Sequence, residues 1–346
     1  MSERRSPLAA LTHARVVEFL REPEAVFWVF AFPILMAVVL GLAFRDRPPE
    51  LLPVGVAAGP TASGLEAALS RSGRLRPRVY PTVEAGLEDL RTGRIAVLVE
   101  EPGTLVYHFD PTRPDARLAR LEADEAIQRS RGRRDPSPPR DAAVKEKGSR
   151  YIDFLLPGIL GLNLMGTGVW GIGFAIVNAR LKKTLKLMVA TPMRRSDYML
   201  SHILSRFVFL ILEVVIILAF GIAAFGVPIR GSLVLLSGVC VIGALSFAGL
   251  GLLTGARART LEAANGLMNL VIVPMWLLSG VFFSSERFPA AVQPLIRALP
   301  LTAVNNALRA VMLEGRGLAA IAGELLVVAA WGIGSFAAAL KIFRWQ

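Results

Sequence analysis

Residues 25–44 read AVFWVFAFPILMAVVLGLAF, an unbroken run without a charge. A helix rises about 1.5 Å per residue, so the run is about 30 Å long, the thickness of a bilayer's hydrocarbon layer. Five more stretches pass the same test on the way to the C-terminus. They are Phe154–Ala179, the pair Phe207–Leu212 and Val214–Ile229 on either side of Glu213, Gly231–Ala256, Ala263–Ser285, and Leu318–Leu340 with Glu324 inside it. Helices are the expected form, because backbone polar groups in lipid must be satisfied within the segment. The predicted fold class is a polytopic α-helical membrane protein of six transmembrane helices, with an α/β extracytoplasmic domain inserted between spans one and two.

Composition agrees. The apolar fraction is 53% and the mean hydropathy is +0.52, above the roughly 45–50% apolar content of soluble domains. A net charge of +12 would suggest nucleic acid in a soluble chain, but here topology distributes it. Segments 1–24, 180–206, 256–262 and 341–346 hold fifteen Lys and Arg, against five in the short connections 227–231 and 284–317. Basic residues favour the cytoplasmic side. Both termini are therefore expected in the cytoplasm, the insert outside, and the chain in the cell's inner (cytoplasmic) membrane with lipid, not nucleic acid, around it. The first apolar run starts late and no small-x-small site follows Phe44, so it reads as a signal anchor.

The expected domains are a cytoplasmic helix (1–24), span 1 (25–44), an extracytoplasmic α/β domain with linker (45–150), and spans 2–6 (151–346). Residues 7–24 space Leu8, Leu11, Val16 and Phe19 at helical intervals among Arg15, Glu18 and Arg21. That suits a helix on the membrane surface or a solvated helix packed on neighbouring loops. Pro33 predicts a kink in span 1. In the insert, Leu52–Ala57, Ile95–Val99 and Leu105–Phe109 read as strands, and Thr61–Ser72, Thr82–Thr92 and 112–134 as helices. Thr82 is followed at the third position by Ala85 rather than Glu, a partial cap. The Pro- and charge-rich RGRRDPSPPRDAAVKEKGSR (131–150) reads as a connection. The insert's nineteen basic and sixteen acidic residues nearly balance, as on a solvated face. No internal repeat is visible.

No nucleotide site or catalytic set can be assembled. A phosphate-binding loop needs Lys after its second glycine, and in GPTASGLE (59–66) Leu65 stands there. No metal site is expected either: His13, His108 and His202 lie on separate segments, and Cys240 is the single cysteine. No directly bound cofactor follows. Glu213 and Glu324 are the only charges within spans, and at mid-bilayer each would cost roughly 2.5–3.5 kcal/mol. Glu213 is about 10 Å from Arg206 by helix rise, and Glu324 is near the opposite surface. Structural or gating roles and direct handling of substrate or protons both remain open for them.

Two connections carry more. In ARLKKTLKLMVATPMRRSDYMLSHILSRF (179–207), Leu181, Leu185 and Met188 share a helical face while Lys182, Lys183 and Lys186 point elsewhere. Thr191–Pro192 ends that helix and Ser196–Asp197 can cap another. The segment is either a loop held by anionic lipid or a docking surface for a cytoplasmic partner. After span five, Pro289, Pro294 and Pro300 break residues 284–317 into short re-entrant or interfacial helices, suited to closing the outer end of a pathway.

With these residues in place the chain resembles the type-2 ABC export permease family, in the branch with a large extracytoplasmic domain after the first span. The resemblance rests on EFLREPE (18–24), Pro33, Thr184–Leu185, Thr191–Pro192, Ser279–Gly280, Phe283, Phe288–Pro289, LPLT (299–302) and Ala307–Leu308–Arg309. One departure is Lys183 and Lys186, where the family often has Gly and Glu. The resemblance implies a dimer with a second permease copy, homomeric or related, above separate cytoplasmic ABC ATPase subunits that hold ATP and magnesium. It places Thr184, Leu185, Met188, Thr191 and Pro192 on a coupling helix, beside the charges of Lys182 and Lys183. Phe282, Phe283, Leu299 and Pro300 would lie at the outer gate. The expected function is export of a hydrophobic or amphipathic compound, such as a drug, lipid or peptide. An ion-coupled secondary transporter and a membrane sensor with a ligand-binding outer domain are the alternatives.

Overall fold

The computed structural model describes residues 7–44, 51–134, 137, 148–181, 195–258 and 260–342. The chain divides into a membrane unit, 1–45 with 145–346, and an inserted unit, 46–144. The fold class is the one predicted. Among the described residues, six helices are long and apolar enough to cross a bilayer: Pro23–Ala43, Tyr151–Asn178, Leu204–Phe225, Leu233–Ala256, Leu261–Leu278 and Leu318–Ile342.

Within the membrane unit the second span is central. From Ile152 to Met165 all but two of its residues are buried, Leu155, Leu160, Leu164 and Met165 completely. An apolar sequence without a polar face is what such an enclosed helix requires. Small residues let neighbours approach it. A Cβ on Gly251 of the fourth span would stand 2.6 Å from the Gly168 carbonyl oxygen, so only glycine allows this backbone-to-backbone contact. The first, fifth and sixth spans instead leave apolar side chains outward, among them Leu35, Leu42, Leu270, Leu277, Leu326 and Ile333. Such faces need an apolar surrounding.

Ahead of Pro33, where a kink was expected, the first span widens into a π-helical turn over Phe27–Ala31, and the second does the same over Thr167–Gly171. The N-terminal helix Pro7–Leu20 packs on the third span: the Phe19 ring lies 4.2 Å from that of Phe209. Phe44 and Tyr151 hold their rings 4.3 Å apart, so the chain leaves and re-enters the membrane unit at neighbouring points. After the fifth span, two 3-10 turns (Ser285–Arg287, Ala290–Val292) lead to helices Gln293–Ala298 and Pro300–Met312. The last of these is too short to span, yet it is buried along most of its length.

The inserted unit is a four-stranded sheet in the order β2-β1-β3-β4, where β1 is Leu52–Ala57, β2 Leu75–Tyr80, β3 Val97–Glu100 and β4 Val106–Phe109. β1 runs parallel to both β2 and β3, and β4 is antiparallel to β3. Helices Ala62–Arg71 and Pro114–Ser130 cover one face, burying Leu65, Leu69 and Ile127 against Val54, Val56 and Val97. Each such side chain contributes about 1.5–3 kcal/mol. Helix Val83–Arg91 covers the other face, close enough that a Cβ on Gly86 would meet Leu98 at 2.6 Å. Thr82 caps it, its Oγ1 accepting from the Ala85 amide.

β2 was not anticipated. Its sequence, LRPRVY, carries two arginines and a proline, the residues that edge strands use to discourage further pairing. Its position in the sheet is that edge. Arginines of its solvated face pair at the surface, Arg74 with Glu122 and Arg131 with Glu101.

Asp89 ties the second face together. It is 8% exposed, and it accepts a 2.8 Å bond from the Tyr80 hydroxyl and another from Arg94. The Tyr80 bond first, and Arg94 second, hold its carboxyl below the ordinary value despite burial. A depressed acid stabilises the folded unit fully above its unfolded value of about 3.9 and loses that contribution as pH falls through the folded value. Amide exchange in β1 and β3 of the full chain, corrected for intrinsic rates, should keep its protection down to about pH 4 and weaken below it. Asp89→Asn should lower protection at neutral pH and flatten that dependence.

Candidate functional site

Among the described residues, two polar clusters interrupt the apolar interior of the membrane unit. The first joins the second and third spans. Arg206 and Glu213 are seven residues apart, close to two helical turns, so both project from one face of the third span's helix, Arg195–Phe225. The Arg206 Nη1 reaches Glu213 Oε1 at 2.9 Å, and Nη2 donates to Thr167 Oγ1 at 2.5 Å. Thr167 opens the π-helical turn of the second span, and its hydroxyl lies 3.3 Å from Glu213 Oε2 and 2.7 Å from the Asn163 carbonyl oxygen. Asn163 in turn donates to the Val29 carbonyl, inside the π-helical turn of the first span, at 3.2 Å. Such widened turns recur at functional positions because they release backbone groups for side-chain partners.

The Glu213 side chain has no exposure and that of Arg206 has 18%. A carboxylate so enclosed stays tolerable only beside its counter-charge and hydrogen bonds. Glu213 is therefore built into a contact that fixes span three against span two. Glu324 lies apart, half-buried in the first turn of the last helix, Ala322–Ile342.

The second cluster ties the short buried helix Pro300–Met312 to the neighbouring spans. Arg309 donates through Nη2 to the Gly280 carbonyl (2.5 Å) and through Nε and Nη2 to that of Phe154 (3.3 Å), and its guanidinium stacks 3.6 Å from the Phe154 ring centroid. Asn305, fully buried, donates to the Ser279 carbonyl at 3.0 Å. A Cβ on Gly161 would collide with Asn305 Oδ1, so this part of the second span must be bare. Tyr151 donates to the Phe282 carbonyl at 2.9 Å. At the head of the second span, Asp153 is completely buried and accepts from the amides of Gly148 and Arg150 and from the Arg150 guanidinium. At the other end of that helix, Arg180 donates to the carbonyls of Ala258 and Ala256, at the end of the fourth span.

The residues expected to form a gate occupy the second cluster's neighbourhood. Pro300 is buried at the start of the short helix, and Leu299 is its half-buried N-cap. Phe282 is half-buried with its ring 6.1 Å from Trp276. Phe283 is 39% exposed beside Phe288, centroids 5.8 Å apart. Lys182, Lys183, Thr184, Leu185, Met188, Thr191 and Pro192 lie outside the described residues; helices ending at Leu181 and beginning at Arg195 flank them. Sequence reasoning passed over Thr167, Asn163 and Asn305. A neutral polar residue in an apolar run carries a weak signal, and only its carbonyl partner on another helix reveals its use.

Comparison with known proteins matches residues 24–341 to the ABC-2 family transporter proteins. The match runs from the first span through the last, and the chain belongs to that family. It is 30% identical over 172 residues, 49% of its length, to ABC transporter G family member 20 of Dictyostelium discoideum. It is 23% identical over 163 residues, 47% of its length, to the probable multidrug ABC transporter permease YbhS of Escherichia coli (strain K12). Against the inner membrane transport permease YhhJ of the same bacterium the figures are 26%, 173 residues and 50%. The matched stretches cover 23%, 43% and 46% of these relatives, under half of each.

Breaking the first cluster on one side strands a buried charge, which costs about 3–5 kcal/mol. Arg206→Met should therefore lower the thermal unfolding midpoint of the purified protein sharply. The double variant Arg206→Met/Glu213→Met, which leaves no charge behind, should recover most of that loss. Asn305→Leu leaves the Ser279 carbonyl without its donor and should cost about 1–3 kcal/mol by the same assay.

Proposed function

We propose that this chain is the membrane-spanning permease subunit of an ATP-driven ABC exporter, powered by a separate ATP-binding subunit. The observation that carries the reading is the family match from the first span to the last, residues 24–341. The sequence has no Lys-terminated glycine loop for nucleotide phosphates, so ATP and magnesium belong to the partner. By this reading both termini and segment 180–206 face the cytoplasm, and the inserted unit faces outside. The cargo is a hydrophobic or amphipathic compound. That class follows from the apolar spans and from relatives such as YbhS, named as a probable multidrug permease.

The polar contacts suit such a machine. A push on segment 180–206, where Lys182, Lys183, Thr184, Leu185, Met188, Thr191 and Pro192 form the docking surface, acts at once on spans two and three. Arg180 extends the push to Ala256 and Ala258, at the end of the fourth span. The Arg206–Glu213–Thr167 contact makes spans two and three move together. At the far end the second span carries the Phe154 carbonyl that accepts from Arg309 and packs Gly161 against Asn305, so its displacement re-packs the short helix near Phe282, Phe283, Leu299 and Pro300. A second permease copy completes the path.

Vesicles containing the chain alone should accumulate no lipophilic dye against a gradient when supplied with ATP, whereas vesicles containing it with its ATPase should. Reversing Lys182, Lys183 and Lys186 to Glu together should abolish co-purification of the ATPase and uptake alike. Retention of both would remove the docking surface from this segment, and uphill transport by the chain alone would remove the reading itself.

A further inference from the structure

A polar pocket of about 220 Å³ opens beside the second cluster, lined among others by Phe154, Glu286, Arg297, Thr302, Asn306 and Arg309. Phe154 belongs to the first turn of the second span, and Glu286 follows the end of the fifth by eight residues. The pocket is therefore at the end of the spans, at the depth where lipid head groups begin. Its wall is built: Gln293, also in the lining, donates to the carbonyls of Ser285 and Phe288 at 2.8 and 3.0 Å and holds that loop in place.

Arg309 is the unusual feature. Its hydrogen bonds go to neutral carbonyls and its face to an aromatic ring. Among the described residues no carboxylate lies within ion-pair distance of it, and its Nη1 donors have no acceptor. Arg309 is half-buried, and a guanidinium partly withdrawn from water is stabilised by an anion beside it. Thr302, 1% exposed, has a hydroxyl with no hydrogen-bond partner in the same wall. Arg297 adds a second cation, likewise without an ion pair among the described residues, and Asn306 a side-chain amide. Two cations against the single carboxylate of Glu286 leave the pocket net positive.

We propose that this pocket binds a phosphate-type anion, held by Arg309 and Arg297 with Thr302 and Asn306 as neutral partners. Pockets that enclose a drug-sized ligand measure about 300–1,000 Å³, so this one takes a head group and leaves any tail outside. Leu295 and Phe283, 61% and 39% exposed, flank the lining residues in the chain and offer apolar surface for such a tail. An anionic phospholipid and free phosphate share the recognised chemistry, and the location at the span ends favours the lipid. The site stands independently of the transport reading, because binding to it needs neither ATP nor a second subunit.

The test is thermal unfolding of the full chain in neutral detergent, titrated with phosphatidylglycerol, phosphatidylcholine or inorganic phosphate. Phosphatidylglycerol should raise the midpoint saturably and phosphatidylcholine should not. Arg297→Gln, at an exposed position that leaves the fold intact, should weaken the apparent affinity about tenfold, as loss of one charge-assisted contact does. Glu286→Gln should strengthen it, and Arg316→Gln, outside the pocket, should leave it unchanged. Stabilisation by inorganic phosphate alone with the same variant pattern supports the site and identifies free anion as its source. Equal stabilisation by phosphatidylcholine, wild-type affinity in Arg297→Gln, or equal weakening by Arg316→Gln overturns the proposal.

Discussion

In the hydrocarbon layer no water is available to bond a stranded carbonyl or guanidinium, so each polar group there must find its partner within the protein. The second span shows what that demands. Its first half is enclosed, and its polar residues are spent on its neighbours: Asn163 on the first span, Thr167 on the third, while its Phe154 carbonyl accepts from the short helix. The short helix Pro300–Met312 could not exist at this depth without the same economy. Asn305 and Arg309 occupy the carbonyls of Ser279 and Gly280, which the end of the fifth span leaves open.

These contacts are few, and close packing makes them effective. Glycines at 161, 168 and 251 bring backbone or polar atoms of neighbouring helices together where any Cβ would intrude. Helices that touch along glycine faces move as bodies, because their contact has no long side chains to absorb displacement. Hydrogen bonds at the ends of the second span then join each end of that body to different partners, Arg180 to the end of the fourth span and Tyr151 to Phe282. Such stiff elements suit the proposed transmission of a push from one face of the membrane to the other.

The spans were legible because bilayer thickness imposes a minimum apolar length that few other constraints imitate. Within the inserted unit, strands β1 and β3 were legible because parallel strands covered on both faces become runs of valine and leucine. β2 was not, since an edge strand facing water is free to carry Arg76, Pro77 and Arg78 and so loses the pattern that marks its neighbours.

The candidate site divides along the same line. Local spacing alone puts Arg206 and Glu213 on one helical face, and apolar length alone defines all six spans. That much the sequence determined, because both depend on repeat geometry along a single segment. Tertiary structure decided that Thr167 completes the charged pair, that Asn305 and Arg309 serve the end of another helix, and that Arg297 and Arg309 line one pocket. Those partners come from positions about a dozen to more than a hundred residues apart, and no period in the chain records which distant carbonyl a side chain will meet once the helices pack.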